Sequence, residues 1–386
     1  MSVTRPGLSA TALRRWRAVH TWSSLVCTVF LLVLCITGLP LIFQDEIEDA
    51  LGTPHSSAVA PGTPMLSLDQ LLASAQTRYP GDATNFISLP DDDEGLATIG
   101  LIDKAGAYHW VKYDRHTGAL LDDQRQAGTQ RISFMDVMLA VHGSLTLGLP
   151  GTLLLGVMGL LFVAALVSGV VLYPPFTPRA GAGTLRLGGS PRLRWLDLHN
   201  VLGMVLLAWF GVVGLTGVMN TLEKPLFGLW QATDVARMLA AQPGTPGPSG
   251  TPETTARIAV QFAMDEALRR HPHETVASIL FPSEARHQPH HYLVWLHGDT
   301  PLRRELLTPV LIHASTGEVI DGEQLPWYLS ALEVSRPLHF GDYGGMPLKL
   351  LWLVFDIGAI VVLASGIYLW IGRRRRRVAP MAEVIT

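Results

Sequence analysis

Four histidines stand at repeated spacings. Trp16-x-x-x-His20 recurs as Trp195-x-x-x-His199 at an offset of 179, which also carries Thr37-Gly38 onto Thr216-Gly217. His142, Pro150 and Ser168-Gly169 recur as His339, Pro347 and Ser365-Gly366 at an offset of 197. In both copies the proline follows its histidine by 8 residues and Ser-Gly follows it by 26. Tyr173 and Tyr368 are a looser match. One histidine at a membrane surface is most simply an amphipathic anchor. Four in two matched pairs suit a metal, because a neutral imidazole offers one ring nitrogen as a ligand. Two imidazoles facing each other across a gap give bis-histidine ligation of a haem iron.

The elements that must hold these residues are membrane spans. Of 386 residues, 48% are hydrophobic and only 16% charged, too apolar for a wholly soluble chain. Four stretches reach the ~20 apolar residues that cross a bilayer: roughly 20–43, 151–173, 198–222 and 348–371. Arginine sets the orientation. Arg5, Arg14, Arg15 and Arg17 precede the first stretch, Arg179, Arg186, Arg192 and Arg194 link the second to the third, and Arg373 to Arg377 follow the fourth. The positive-inside rule places these segments in the cytoplasm and the two long segments outside. The first stretch lacks a clear small-x-small cleavage site and reads as a retained helix rather than a signal peptide.

The expected fold class is a membrane protein of four transmembrane helices in two parallel tandem repeats, each helix–outer domain–helix. The layout is 1–19 inside, 20–43 as the first span, 44–133 as outer domain one, and 134–174 as an interfacial segment with the second span. Then come 175–194 inside, 195–222 as the third span, 223–330 as outer domain two, 331–371 as an interfacial segment with the fourth span, and 372–386 inside. The outer domains show a fainter echo: Asp114 to Asp122 and His313 to Asp321 each hold a Thr-Gly turn between β-type runs. Residues 67–79 and 254–270 pattern as amphipathic helices, and the Gln242–Pro252 stretch as a flexible connector.

Parallel repeats are related by an axis along the membrane normal. That axis turns His20 into His199 at the inner surface and His142 into His339 at the outer one. Two pairs imply two haems, one near each face; one inner plus one outer histidine on a single iron is disfavoured. From each outer histidine, 26 residues of unbroken helix would run about 39 Å, longer than the ~30 Å hydrocarbon core. The proline suits the first turn of a new helix, so each outer histidine is expected on its own surface segment. Gly38, Gly169, Gly217 and Gly366 would let a flat macrocycle approach the backbone, or simply let helices pack closely. Cys27 and Cys35 form no CxxCH and read as small packing residues. Asp356 lies mid-span where its counterpart is Gly159; it is protonated, or hydrogen-bonds to a ligand, Trp209 or Trp352. The other ten histidines obey no repeat and read as solvated surface, with a metal site at His287, His290 and His291 as the lesser alternative.

Taken together, the Trp-x-x-x-His and Thr-Gly motifs, the outer histidine, Ser-Gly and the outer Thr-Gly turn resemble the PepSY-associated transmembrane family of bacterial inner-membrane proteins. Within it the chain looks most like the FoxB-type ferrisiderophore reductases, which reduce ferrioxamine iron. The resemblance covers nearly the whole chain. It implies two b-type haems on His20, His142, His199 and His339, two periplasmic PepSY-like α/β domains, and release of iron from siderophores. Hard oxygen donors hold Fe(III) far more tightly than Fe(II), so one-electron reduction loosens such a complex without breaking a bond in the ligand. No catalytic acid, base or nucleophile is needed. No Gly-x-Gly-x-x-Gly site is present, so the electron donor is expected to be separate, a cytoplasmic reductase or a membrane quinol. The inner arginines could hold haem propionates or dock an acidic donor, although topology alone explains them.

Partners are therefore a ferric siderophore outside, the donor and membrane lipid; nothing points to nucleic acid. Two other readings stay open. One is a general electron-transfer cytochrome whose acceptor is a protein. The other is a non-redox membrane protein whose outer domains bind a peptide or regulate a protease. A transporter is a poor fit, since four spans with one acid make a poor substrate pathway.

Overall fold

The computed structural model describes residues 8–52, 54–60, 62–91, 93–125, 132–176, 183–186, 188–240, 257–298, 300, 306–321, 324–341 and 344–382. Arg5, Arg179 and the Gln242–Pro252 connector lie outside the described residues. The chain divides into two units. A helical unit comprises Met1–Ile47, Phe134–Leu222 and Ser335–Thr386; a sheet unit comprises Glu48–Ser133 and Glu223–Val334.

In the helical unit three helices are long and apolar enough to cross a membrane: Ala10–Leu41, Leu149–Tyr173 and Gly345–Gly372. The first starts at Ser9, whose hydroxyl accepts from the Ala12 N–H and so satisfies one of the free amides of the first turn. Their outward side chains are apolar, among them Val29, Ile36, Leu160 and Val354, which suits lipid rather than water. The stretch at 198–222, expected as one span, is not one continuous helix. It is a pair of helices, Pro191–Val205 and Leu207–Thr221, bent by 66° at Leu206. Leu206 is buried against Phe210 and Ala359, so the bend turns a large side chain into the bundle core. His142 and His339 stand on separate short helices, Phe134–Ser144 and Trp327–Phe340, each ahead of a span. Positive φ at Leu145, Thr146 and Gly148 reverses the chain after the first of these.

The sheet unit corrects the expectation of two separate outer domains. Its eight strands are β1 (Ala83–Ser88), β2 (Leu96–Ile102), β3 (Tyr108–Asp114), β4 (Leu120–Asp123), β5 (Glu274–Leu280), β6 (His291–Gly298), β7 (Leu307–His313) and β8 (Val319–Asp321). They form one antiparallel sheet in the order β4-β3-β2-β1-β5-β6-β7-β8. Each half is a meander that would leave β1 or β5 as an unpaired edge; pairing the two removes both edges. Ile87 lies directly opposite Ile279, flanked by Phe86 opposite Leu280 and Ser88 opposite Ser278.

The helices Leu68–Arg78 and Val260–Arg270 bury Leu68, Leu71, Ala75, Val260, Ala263 and Ala267 against the sheet. Each buried Leu or Val contributes roughly 1.5–3 kcal/mol. The helices cap each other: Asp69 accepts from the Val260 and Gln261 N–H groups, and the Gln261 side chain accepts from the Leu68 N–H. The two Thr-Gly turns also match. Gly118 and Gly317 have φ of 73° and 74°, which glycine adopts without strain. Asp114 accepts from the His116 and Thr117 amides, and His313 Nδ1 accepts from those of Ser315 and Thr316.

Candidate functional site

All four repeated histidines lie in the helical unit, each half-buried. Each makes the same two contacts through Nδ1. His20 meets the Ala165 carbonyl at 2.9 Å and the Ser168 hydroxyl at 3.2 Å. His199 meets the Val362 carbonyl and the Ser365 hydroxyl, both at 3.0 Å. His142 meets the Leu34 carbonyl and Thr37 Oγ1, both at 3.1 Å. His339 meets the Val213 carbonyl and Thr216 Oγ1, both at 3.1 Å.

The chemistry fixes the tautomer. A carbonyl only accepts, so Nδ1 must carry the proton and donate it. Each hydroxyl donates its own proton back along its helix, Ser168 to Ala164 at 2.7 Å and Thr37 to Val33 at 2.8 Å, so toward the imidazole it accepts. Nε2 is then unprotonated, and among the described residues it makes no hydrogen bond. A metal-ligating histidine is normally arranged in this way, with one ring N–H held by a carbonyl and the other nitrogen free.

The glycine of each motif completes the seat. A Cβ on Gly217 would stand 3.1 Å from His339 Cε1; on Gly38, 3.3 Å from that of His142; on Gly169, 3.3 Å from that of His20; on Gly366, 3.5 Å from that of His199. This changes the reason for the glycines. They lie against an imidazole ring rather than being explained by helix contact alone. The seats are reciprocal: Leu149–Phe176 holds His20 of Ala10–Leu41, which in turn holds His142 of the short helix just before Leu149, while Gly345–Ala382 holds His199, and Leu207–Thr221 holds His339 of the short helix just before Gly345. Sequence spacing gave the members of each motif but not which hydroxyl serves which ring.

His142 and His339 come together, with ring centroids 6.2 Å apart and planes 64° to one another. A metal–imidazole bond is about 2 Å and a ring nitrogen lies roughly 1.1 Å from its centroid, so two imidazoles on opposite sides of one metal stand about 6 Å apart. The 6.2 Å separation of the His142 and His339 rings matches that spacing. His20 and His199 lie within electrostatic reach of each other. Trp352 donates Nε1–H to the His339 carbonyl at 3.2 Å. At the end of the first span Asp45 and Glu46 hold Lys349 of the fourth, with Nζ to oxygen 3.3 and 3.0 Å. Two residues before His199, Asp197 accepts paired hydrogen bonds from Arg186.

Other readings of titratable residues need correction. His109, His290, His291 and His297 are buried, not solvated, because β3 and β6 are interior strands. His109 is held by Asp82 at 2.8 Å and His297 by Asp91. The histidine cluster is His290, His291 and His313 rather than one with His287. Burial, and then the neighbouring His313 and His290, drive the His291 pKa down to about 3. Because His313 Nδ1 accepts from backbone amides, its proton is on Nε2 and no lone pair is left for a metal. Among the described residues no three His, Cys, Asp or Glu side chains converge as a metal site. Among the described residues Asp356 makes no hydrogen bond to Trp209 or Trp352, whose N–H goes to the His339 carbonyl, and Cys35 packs in the Leu206 core.

Comparison with known proteins places this geometry in context. The family described as "PepSY-associated TM region" matches residues 17–373. An uncharacterized protein of Pseudomonas aeruginosa, PA4219, is 26% identical over 279 residues, covering 65% of this chain and 66% of that relative. The match thus spans just under two thirds of the relative's length.

Proposed function

The chain belongs to the PepSY-associated TM family of membrane proteins, and we propose that it is an inner-membrane di-haem reductase of ferric siderophores. The observation that supports this most is the fourfold seat: four imidazoles, each with Nδ1–H held by a carbonyl and a hydroxyl and Nε2 free, two of them 6.2 Å apart. In this reading the bent helix pair counts as one of four spans, and the chain is two tandem copies of helix–outer segment–helix. Both termini are cytoplasmic and the sheet unit is periplasmic.

His142 and His339 would hold an outer b-type haem, and His20 and His199 an inner one. Bound haem supplies reversible one-electron exchange. The protein's own part is orientation: Ser168, Ser365, Thr37 and Thr216 fix the tautomer, and the four glycines leave the rings room. The substrate is an Fe(III) complex of hydroxamate type, ferrioxamine-like. One electron from a separate donor, a cytoplasmic reductase or quinol, converts it to a weakly held Fe(II) complex.

The test is the spectrum of the detergent-purified protein, oxidised and then dithionite-reduced, with haem quantified per chain. About two haems with sharp α and β bands are expected. Anaerobic addition of ferrioxamine to the reduced protein should then reoxidise it and yield Fe(II). A colourless protein from haem-supplied cells refutes the reading and favours a peptide-binding or regulatory membrane protein.

A further inference from the structure

Among the described residues two acids are buried in the helical unit, Asp197, which is paired with Arg186, and Asp356, which has no cation partner. Leu206, Phe210 and Ala359 are buried at the unit's centre, with Cys35, Phe162, Leu166, Trp209, Phe355 and Val362 around them. Asp356 is 6% exposed. Its Oδ2 is buried with no hydrogen-bond partner among the described residues. The indole N–H of Trp209 is likewise buried without a partner. Trp209 packs on Phe355, beside Asp356 in sequence, with centroids 5.8 Å apart, and on Trp352, one turn earlier, at 6.4 Å. An unsatisfied acceptor and an unsatisfied donor thus belong to one apolar core, where each is costly.

No cation answers the carboxyl. Between Thr21 and Leu41 the first span offers only Cys27 and Cys35; the second has only Tyr173; the third has no titratable residue from Asn200 to Thr221. In the fourth, Lys349 is held by Asp45 and Glu46, and Tyr368 lies three turns further along. Two short links join this core to the His142–His339 pair: Cys35 follows Leu34, whose carbonyl holds His142, and Trp352, one turn before Asp356, donates to the His339 carbonyl. Ser365, the seat of His199, is nine residues on, about 14 Å along the helix. The counterpart of Asp356 in the other copy is Gly159, so only one histidine pair has such an acid.

We infer that Asp356 is a proton-binding site coupled to the outer histidine pair. It takes one proton from solvent when the group held by His142 and His339 gains one electron, and returns it when that electron passes to the substrate. The inference rests on the di-haem reading. The electron comes from the separate donor, the proton from water, and no other bond forms or breaks. An added electron in a low-dielectric core repels a carboxylate and favours its protonation. While the carboxyl is ionised, the Cys35 S–H and Trp209 N–H are the donors available to it, directly or through water.

The test is a redox titration of the haem-loaded protein between about pH 6 and about pH 8, with a reduced-minus-oxidised infrared spectrum. One of two midpoint potentials should fall with rising pH, toward 59 mV per tenfold change in proton concentration. A carboxylic C=O band should appear on reduction. Asp356→Asn should remove both effects and leave the other potential unchanged. Potentials that are flat in the unaltered protein, or a slope that survives in Asp356→Asn, overturn the inference while the di-haem reading stands. A protein that binds no haem overturns both. If Asp356→Asn does not assemble, the infrared spectrum of the unaltered protein decides: without a carboxyl band the inference fails.

Discussion

Gly217→Ala and Gly366→Ala are the same chemical change at equivalent positions, yet the structure sets different outcomes for them. At Gly217 the new methyl would stand 3.1 Å from His339 Cε1; at Gly366 it would stand 3.5 Å from His199 Cε1, an ordinary contact. To relieve the first, His339 must retreat by about 0.4 Å, near the ~0.5 Å within which a preorganised site must be held. Disturbing the groups that orient a metal ligand costs 10–100-fold in affinity, and a shift this small belongs at the lower end, about tenfold or ~1.4 kcal/mol. The backbone effect has the opposite sign. Alanine in a helix interior is favoured over glycine by roughly 1 kcal/mol, so neither variant should lose stability. The assay is haem per chain after detergent exchange, read beside the melting temperature of the haem-free protein. Gly217→Ala should lose haem from one site at an unchanged or raised melting temperature, and Gly366→Ala should keep both. Equal retention in the two variants, or greater loss in Gly366→Ala, refutes the account of the seats.

Three further outcomes follow from the same geometry. Replacing His142 and His339 together by alanine should remove one of two haems, and His20 with His199 the other, whereas His20 with His142 should disturb both; haem stoichiometry checks each. Asp69→Ala frees two amides at the start of Val260–Arg270, so the sheet unit should lose about 1–2 kcal/mol in denaturant unfolding. Burial alone would raise the Asp114 pKa, but hydrogen bonds from Ser57, His116 and Thr117 outweigh it and hold the carboxyl down to about 2. Its stabilisation is present above the unfolded value of about 3.9 and fades as pH falls toward 2. Circular dichroism melts should show that acid loss in the unaltered chain and less of it in Asp114→Asn.

Much of the site was legible because its parts are local in sequence. A helix places Thr-Gly or Ser-Gly together on one turn, and fixed spacing from each histidine marks them as one motif. The sheet unit was less legible. From Leu68 to Val260 and from Ile87 to Ile279 the halves stand 192 residues apart, and both carry a bulge at matching positions, Thr84/Phe86 and Val276/Ser278. By the Thr117 and Thr316 turns the offset has grown to 199, so insertions blur the correspondence and only the turns stand out.

The sequence by itself determined the membrane class, the matched histidines, and the hydroxyl and glycine that accompany them, because hydropathy and spacing are properties of single segments. Only the tertiary structure decided which hydroxyl and carbonyl hold each imidazole, and that neither Trp209 nor Trp352 bonds to Asp356. It also decided that the chain bends at Leu206 between Pro191–Val205 and Leu207–Thr221 and that β1 joins β5 into one sheet. Those are contacts between segments tens to hundreds of residues apart. Which of several chemically competent partners a side chain meets is set by how distant segments pack, and no local pattern encodes that choice.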